Sequence, residues 1–186
     1  MLRGASAVIA ACVVAACATV PTGGPPVEPS GIDAPFTIDG RLSARRGSEA
    51  ATANFTWHHA PPRDDLVVTT PLGQAVAEIS GDRSAAHYEL RMADGRREEA
   101  QDWSRLTERA LGAPVPVEGL SAWIGGTPRQ GAPFTAEPDA SGRATLLRQD
   151  GWEILYGYAD DDLRLPSRLR LTQGDLEIRI VVLNRR

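Results

Sequence analysis

Residues 66–79 have the sequence LVVTTPLGQAVAEI, and this stretch decides the fold. Apolar and β-branched residues fill 66–70, a composition typical of a half-buried strand. Pro71 and Gly73 then predict a tight turn, because proline restricts φ and glycine tolerates positive φ. A second strand is expected over 74–79, so the stretch predicts an antiparallel hairpin.

Leu72 is the unusual residue of this turn. Turns favour small or polar residues, whereas Leu72 is large and apolar. Two interpretations are open. The commoner one folds the leucine back onto the core, and the other leaves it in solvent as a hydrophobic finger.

Alternation of apolar and polar residues continues on both sides of the hairpin. It is typical of antiparallel strands with one covered face and one wet face. The Asp-Gly pairs at 94–95 and 150–151 add hairpin turn signals. Strands are predicted at 36–44, 51–57, 86–92, 143–149, 152–158, 168–172 and 176–183.

Between the two groups of strands the apolar spacing becomes helical. It predicts a helix over 102–111, with Asp102 and Gly112 suited to its two caps. A shorter helix is predicted over 117–124, and the charged run at 96–99 is expected to be an exposed turn. Since open strand edges are a liability, we expect a mainly β fold with inserted helices (α+β), an incomplete antiparallel β-barrel with a helical lid.

The N-terminus predicts a lipoprotein signal. Residues 1–16 contain one arginine and a short apolar run, too short to span a bilayer and typical of a signal peptide. The sequence VAAC that ends at Cys17 resembles the bacterial lipoprotein box, which predicts Cys17 as the lipidated first residue. The sequence IAAC ending at Cys12 also fits the box, but it leaves a shorter apolar run, so Cys17 is preferred.

Three segments follow from this assignment. Residues 1–16 form a lipoprotein signal peptide, and 17–35, rich in proline and glycine, form a lipid anchor and flexible linker. Residues 36–186 form the folded domain. One cysteine remains after cleavage, which excludes an intramolecular disulfide.

Composition and motifs argue against catalysis. The net charge of −4 disfavours a nucleic-acid partner, and the absence of lysine excludes a Schiff-base or P-loop lysine. No hydrolase, nucleotide-binding or zinc-protease motif is present. His58 and His59 would face opposite sides of a strand, and surface histidines are expected rather than a metal site. We therefore expect a protein that is not an enzyme and has no cofactor.

The four tryptophans leave two interpretations open. Plain core packing is the commoner one. The other is an internal hydrophobic cavity between barrel and lid, lined by Phe55, Trp57, Trp103, Leu106, Trp123, Ile124, Trp152 and Ile154.

An ordered set of short segments resembles the LolB family of outer-membrane lipoproteins. The resemblance covers about residues 36–183, and no single motif decides it. The C-terminus lacks the aromatic ending found in some members. The matching segments are GRLS at 40–43, FTW at 55–57, TPLGQ at 70–74, LSAWIGGTP at 120–128 and GW at 151–152.

The resemblance implies a half-barrel wrapped around helices, with an apolar cavity for acyl chains. It implies that lipoproteins arrive from a LolA-like periplasmic carrier and leave into the inner leaflet of the outer membrane. It also implies that Leu72, flanked by Pro71 and Gly73, enters the bilayer. A monomer, lipid-anchored in the outer membrane and facing the periplasm, is expected.

Two other functions remain open at this point. One is a membrane-anchored binding protein for a free lipid or another hydrophobic ligand. The other is a structural lipoprotein of the outer membrane, in which the tryptophans are only core.

Overall fold

The computed structural model describes residues 27, 34–159 and 165–186. The predicted signal peptide, Cys17 and nearly all of the predicted linker lie outside this part of the chain. Six strands come first, then two helices, then five strands. Their bounds are β1 Phe36–Arg46, β2 Glu49–Ala60, β3 Arg63–Thr69, β4 Ala75–Asp82, β5 His87–Met92, β6 Arg97–Ala100, α1 Trp103–Leu111, α2 Val117–Trp123, β7 Phe134–Pro138, β8 Ala144–Gln149, β9 Trp152–Tyr158, β10 Pro166–Gln173 and β11 Leu176–Arg185.

The described strands form one antiparallel sheet in the order β6-β5-β4-β3-β2-β1-β11-β10-β9-β8-β7. Strands adjacent in sequence pair by hairpins, and the pairing of β1 with β11 joins the two halves of the chain. β6 and β7 are the two edges, so the sheet is open. The mainly β fold with inserted helices is confirmed.

The helical segment lies on one face of this sheet, here called the inner face. Along β1, Ile38, Leu42 and Ala44 are buried, whereas Arg41 and Arg45 are exposed. The helices follow β6 and precede β7, so the chain passes from one sheet edge to the other across the inner face. Buried residues of α1 and α2 join those of the strands in one core.

The caps of α1 match those predicted from the sequence. Asp102 accepts a hydrogen bond from the backbone N–H of Ser104 at 2.9 Å. Gly112 closes the helix with φ 73°, and its N–H donates to the carbonyl of Glu108 at 2.9 Å. A side-chain cap at one end and a left-handed glycine at the other fix the length of α1.

The charged run at 96–99 is not the turn predicted from the sequence. Residues 97–100 form β6, an edge strand paired with β5. The other edge strand, β7, also lacks a predicted counterpart. Edge strands are short and often charged, which protects an open edge from further pairing. Apolar and polar residues therefore alternate only weakly along these strands. A search of the sequence for such alternation misses them.

The expectation of surface histidines is wrong for His59. His58 is exposed, but His59 is only 2% exposed and its ring stacks on Phe36 with a centroid distance of 4.6 Å. Adjacent residues of a strand face opposite sides, so one of the two histidines had to point inward.

Candidate functional site

Leu72 stands in solvent at the tip of the β3–β4 turn. Its side chain is 90% exposed. The N–H of Gly73 donates to the carbonyl of Thr70 at 2.9 Å, and the N–H of Thr70 donates to the carbonyl of Gln74 at 2.8 Å. Pro71 and Leu72 are therefore the central residues of a hydrogen-bonded β-turn. The interpretation that folds this leucine back onto the core is wrong.

The residues 70–74, here called the Leu72 turn, are held firmly at their base. Gly73 has a φ of 85°, a conformation that suits glycine. The Thr70 hydroxyl accepts a further hydrogen bond from the N–H of Gln74 at 3.2 Å. These local bonds hold the turn in a conformation that leaves Leu72 exposed.

A small, largely enclosed cavity lies between the sheet and the helices, and we call it the closed cavity. Its volume is about 20 Å³, which is room for about one water molecule. The structure therefore does not confirm a cavity large enough for an acyl chain. Its lining is Leu42, Ala53, Phe55, Trp57, Leu66, Trp103, Leu111, Val115, Val117, Leu120 and Ile180.

The eight residues predicted to line one acyl cavity do not line a single space in the structure. Phe55, Trp57 and Trp103 line the closed cavity. Trp123 and Trp152 meet Trp103 again in a cleft of about 370 Å³, here called the tryptophan cleft. The remaining three are fully buried in the core: Leu106, Ile124 and Ile154.

A groove of about 330 Å³ opens beside the Leu72 turn, a volume within the usual range for small-molecule sites. One wall is the end of α1, and the other contains Thr70 and Pro71 of the turn. We call it the α1 groove. No charged side chain belongs to its lining, which comprises Leu42, Ala51, Thr52, Ala53, Val68, Thr69, Thr70, Pro71, Val76, Ala110, Leu111 and Gly112.

Three residues separate the α1 groove from the closed cavity. Leu42, Ala53 and Leu111 line both spaces. Leu42 and Ala53 face each other across the β1–β2 ladder, and Leu111 ends α1. These three aliphatic side chains, one of them on a helix, form a partition that borders both the groove and the cavity.

Glycine on β1 lets the cavity wall pack closely. A Cβ atom on Gly40 would lie 2.5 Å from Cζ of Phe55, its partner across the β1–β2 ladder. The Phe55 ring can therefore lie directly on the backbone of β1. This contact accounts for the glycine in the GRLS segment.

A buried polar cluster that sequence analysis missed fixes Trp57. Its indole N–H donates to Oδ1 of Asp64 at 2.9 Å, and Nδ1 of His59 lies 2.6 Å from the same oxygen. Nε of Arg83 is 3.1 Å from Oδ2 of Asp64. The signal was present, because Asp64 shares the inward face of β3 with Leu66.

A second buried group ties α2 to the sheet. The Trp123 indole N–H donates to Oε1 of Gln149 at 2.8 Å. The Gln149 amide donates to the carbonyls of Arg129 and Ala132 at 2.9 and 3.2 Å, and Arg185 donates to the carbonyl of Ile124 at 2.9 Å. Sequence analysis also missed Gln149, although its inward position after Leu147 on β8 marks it.

The last turn of α1 is attached differently. Arg46 of β1 and Glu108 of α1 form an exposed ion pair at 3.4 Å. Thr107 is buried, and its hydroxyl accepts the N–H of Val115 at 2.8 Å, which links α1 to the chain that follows it. Arg109 in the same turn pairs with Glu98 of β6 at 3.1 Å. The polar ties of the end of α1 to the sheet are thus ion pairs near the surface.

Neither a metal site nor a membrane-spanning helix is found in the described part of the chain. Its histidine and acidic side chains form no cluster of three or more that could hold a metal ion. Its helices are too short and too polar to cross a bilayer.

Comparison with known proteins shows to which family the chain belongs. The family described as outer membrane lipoprotein LolB matches residues 34–184. The chain belongs to the LolB family. Among its relatives, the outer-membrane lipoprotein LolB of Chromobacterium violaceum is 35% identical over 184 residues, 98% of both chains. That of Azoarcus sp. is 34% identical over 96% of this chain and 92% of its own.

A solved structure has a fold similar to that of this chain. The LolA superfamily protein NE2245 from Nitrosomonas europaea superposes with a TM-score of 0.51 at 11% identity. It covers 83% of this chain and 86% of that one. The likeness concerns the fold: an open antiparallel sheet with a small helical part.

Proposed function

We propose that this chain receives lipoproteins from a LolA-like periplasmic carrier and inserts them into the inner leaflet of the outer membrane. Its family makes it an outer-membrane lipoprotein that acts in lipoprotein localisation. The observation that carries the finer proposal is Leu72, which is fully in solvent and lies beside an apolar groove.

Transfer by this route needs an apolar site rather than a reaction. An acyl chain in water costs about 0.8 kcal/mol per methylene, so a shielding site on each protein removes most of that cost in transit. The lipoprotein then passes from carrier to receiver to membrane, because the receiver binds its acyl chains more tightly than the carrier does and the membrane holds them more tightly still. We infer that this chain works without catalysis and without a nucleotide.

Lipidation at Cys17 supplies the anchor in this proposal, and residues 18–35 act as the tether. A lipid anchor holds the domain at a membrane without spanning it. Mass spectrometry of the mature N-terminus should find a diacylglyceryl group on Cys17. The same group on Cys12, or no lipid, would contradict this assignment.

Leu72 orients the domain in this proposal. Burial of one leucine yields roughly 1.5–3 kcal/mol, which is too little to anchor a protein. It is enough to turn the adjacent α1 groove towards the bilayer when the domain is already tethered there. A charge in the same position would have to be desolvated to enter the headgroup region, which is costly.

The test measures acceptance and delivery separately in the variant Leu72→Glu. We expect it to fold and to take a labelled lipoprotein from a loaded carrier at the wild-type rate, and to fail in passing it to vesicles. The matched control is Leu183→Glu, since Leu183 is also an exposed leucine, 64% accessible, at the end of β11.

Delivery by Leu72→Glu at the wild-type rate would show that the leucine plays no part in insertion. Failure of the unaltered chain to accept any lipoprotein, together with a free lipid extracted from it, would favour the free-lipid binding protein.

A further inference from the structure

The closed cavity is too small for the cargo of the proposed function. At about 20 Å³ it has room for one water molecule. An acyl chain can therefore be shielded only if part of the helical layer moves away from the sheet. The question is which part moves, and where the chain enters.

We propose that acyl chains enter through the α1 groove, and that Leu111 is the gate between this groove and the closed cavity. This inference rests on the proposed function and adds the path that the substrate takes. The occupant is the acyl chain of the lipoprotein, which passes between the last turn of α1 and strands β1 to β3.

The chemistry of the groove suits an acyl chain. Its lining carries no charged side chain and consists largely of small and aliphatic residues. Thr70 and Pro71 belong to both the groove and the Leu72 turn, so an acyl chain leaving this slot emerges next to the residue that meets the bilayer.

The partition between groove and cavity is aliphatic and partly helical. Leu42 and Ala53 are on paired strands, where the β1–β2 ladder holds them. Leu111 is the last residue of α1, so it is the member of the partition that a small movement of the helix can displace. Its displacement would join the groove to the space beside Trp57 and Trp103.

The attachments of the two helices point to the end of α1 as the moving part. The last turn of α1 is tied to the sheet by the ion pairs Arg46–Glu108 and Arg109–Glu98, and ion pairs with exposed partners contribute little to stability. The α2 segment, by contrast, is tied to β8 through the buried Gln149. The buried hydrogen bond of Thr107 joins α1 to the segment that follows it and not to the sheet. Breaking the buried hydrogen bonds that hold α2 on β8 is expensive, so α1 opens while α2 stays in place.

The tryptophan cleft is a poorer entrance. Its rim carries Asp102 and the ion pair of Arg129 with Asp150. An acyl chain entering there would have to pass charged groups and desolvate them. The uncharged α1 groove presents no such barrier.

The test places one bulky side chain on either face of β2. Ala51 and Ala50 are both exposed and adjacent in sequence, but they face opposite sides of the sheet, and only Ala51 lines the α1 groove. Ala51→Trp fills the slot, and Ala50→Trp adds the same volume outside it.

Two readouts are used, the binding of 11-(dansylamino)undecanoic acid and the acceptance of a lipoprotein from a loaded carrier. We expect Ala51→Trp to lower both by about tenfold, as overfilling of an apolar site does, and Ala50→Trp to match the wild type. We expect Leu111→Ala, which removes the gate, to take up the fatty acid faster than the wild type.

The outcomes separate this inference from the proposed function. If the wild type accepts lipoprotein and Ala51→Trp does so equally well, the entrance lies elsewhere while the function stands. Uptake by Leu111→Ala that is no faster than wild type rejects the gate, even if Ala51→Trp fails to fold. If the wild type accepts no lipoprotein, the proposed function itself fails.

Discussion

Two tryptophans that line the closed cavity differ in the hydrogen bonding of their indole N–H groups. Trp57 donates its indole N–H to Asp64. The indole nitrogen of Trp103 is buried, and no hydrogen-bond partner for it is found in the described part of the protein. An unpaired buried donor costs stability, whereas a paired one contributes to it.

We therefore expect Trp57→Phe to destabilise the domain more than Trp103→Phe does. Both changes remove similar volume from the cavity wall. Only Trp57→Phe takes a hydrogen bond from the buried carboxylate of Asp64, a loss of roughly 1–3 kcal/mol. Equilibrium urea unfolding measures the difference. Equal losses for the two variants would mean that the indole hydrogen bond contributes nothing.

At the scale of elements, three hairpin turns each begin with an aspartate whose side chain accepts hydrogen bonds. Asp82, Asp94 and Asp139 each begin a turn and accept hydrogen bonds from backbone N–H groups within it. These bonds favour the charged form. The pKa of each carboxyl is held below its usual value, chiefly by the Ser84 side chain, the Arg96 backbone and the Arg143 side chain respectively.

The lowered pKa values predict acid sensitivity of these turns. A carboxyl with a depressed pKa in the folded state stabilises it fully above the unfolded pKa, about 3.9. That contribution is lost as the pH falls through the folded pKa. The contribution of these turns to the urea midpoint should therefore be flat between pH 7 and 5 and should fall below about pH 4.

The control for this prediction is the triple variant Asp82→Asn, Asp94→Asn and Asp139→Asn. Asparagine keeps the turn hydrogen bonds but does not titrate in this range. The triple variant should lose less stability in acid than the wild type. The same acid loss in both proteins would assign the effect to other carboxylates.

For the whole molecule, the start of β1 and the Leu72 turn lie at opposite ends of the sheet strands. Phe36 pairs with His59, and His59 pairs with Asp64 near the start of β3. The Leu72 turn follows the end of β3. A strand rises about 3.3 Å per residue, and about six residues lie between Asp64 and the Leu72 turn. The start of β1 and the Leu72 turn are therefore about 20 Å apart along the strand direction.

This geometry predicts a minimum tether length. Fully extended, the 18 residues of 18–35 span up to about 60 Å, whereas the four left after deletion of residues 20–33 span about 14 Å. The shortened protein should still accept lipoprotein, but Leu72 should not reach the membrane that holds Cys17. Delivery into that membrane should therefore fall.

Vesicles carrying the anchored protein measure this delivery. A glycine-serine segment of the same length in place of residues 20–33 should restore delivery. Delivery at the wild-type rate by the deletion variant would mean that the Leu72 turn does not have to meet the same membrane.

What the sequence determined by itself is local. The β3–β4 turn, the caps of α1 and most of the strands follow from residues within a few positions of one another, because propensity, period and turn chemistry act at short range. The segments that resemble the LolB family were also visible in the linear chain. The exposure of Leu72 could not be decided from these residues, although the hydrogen bonds that enforce it are local.

Only the tertiary structure decided how these pieces meet. The pairing of β1 with β11 joins residues about 140 positions apart, and it makes β6 and β7 the edges that the search for alternation missed. The small size of the closed cavity and the partition by Leu111 depend on packing between distant elements. Packing is set by shape and volume in three dimensions, which the order of residues along a strand or helix does not contain.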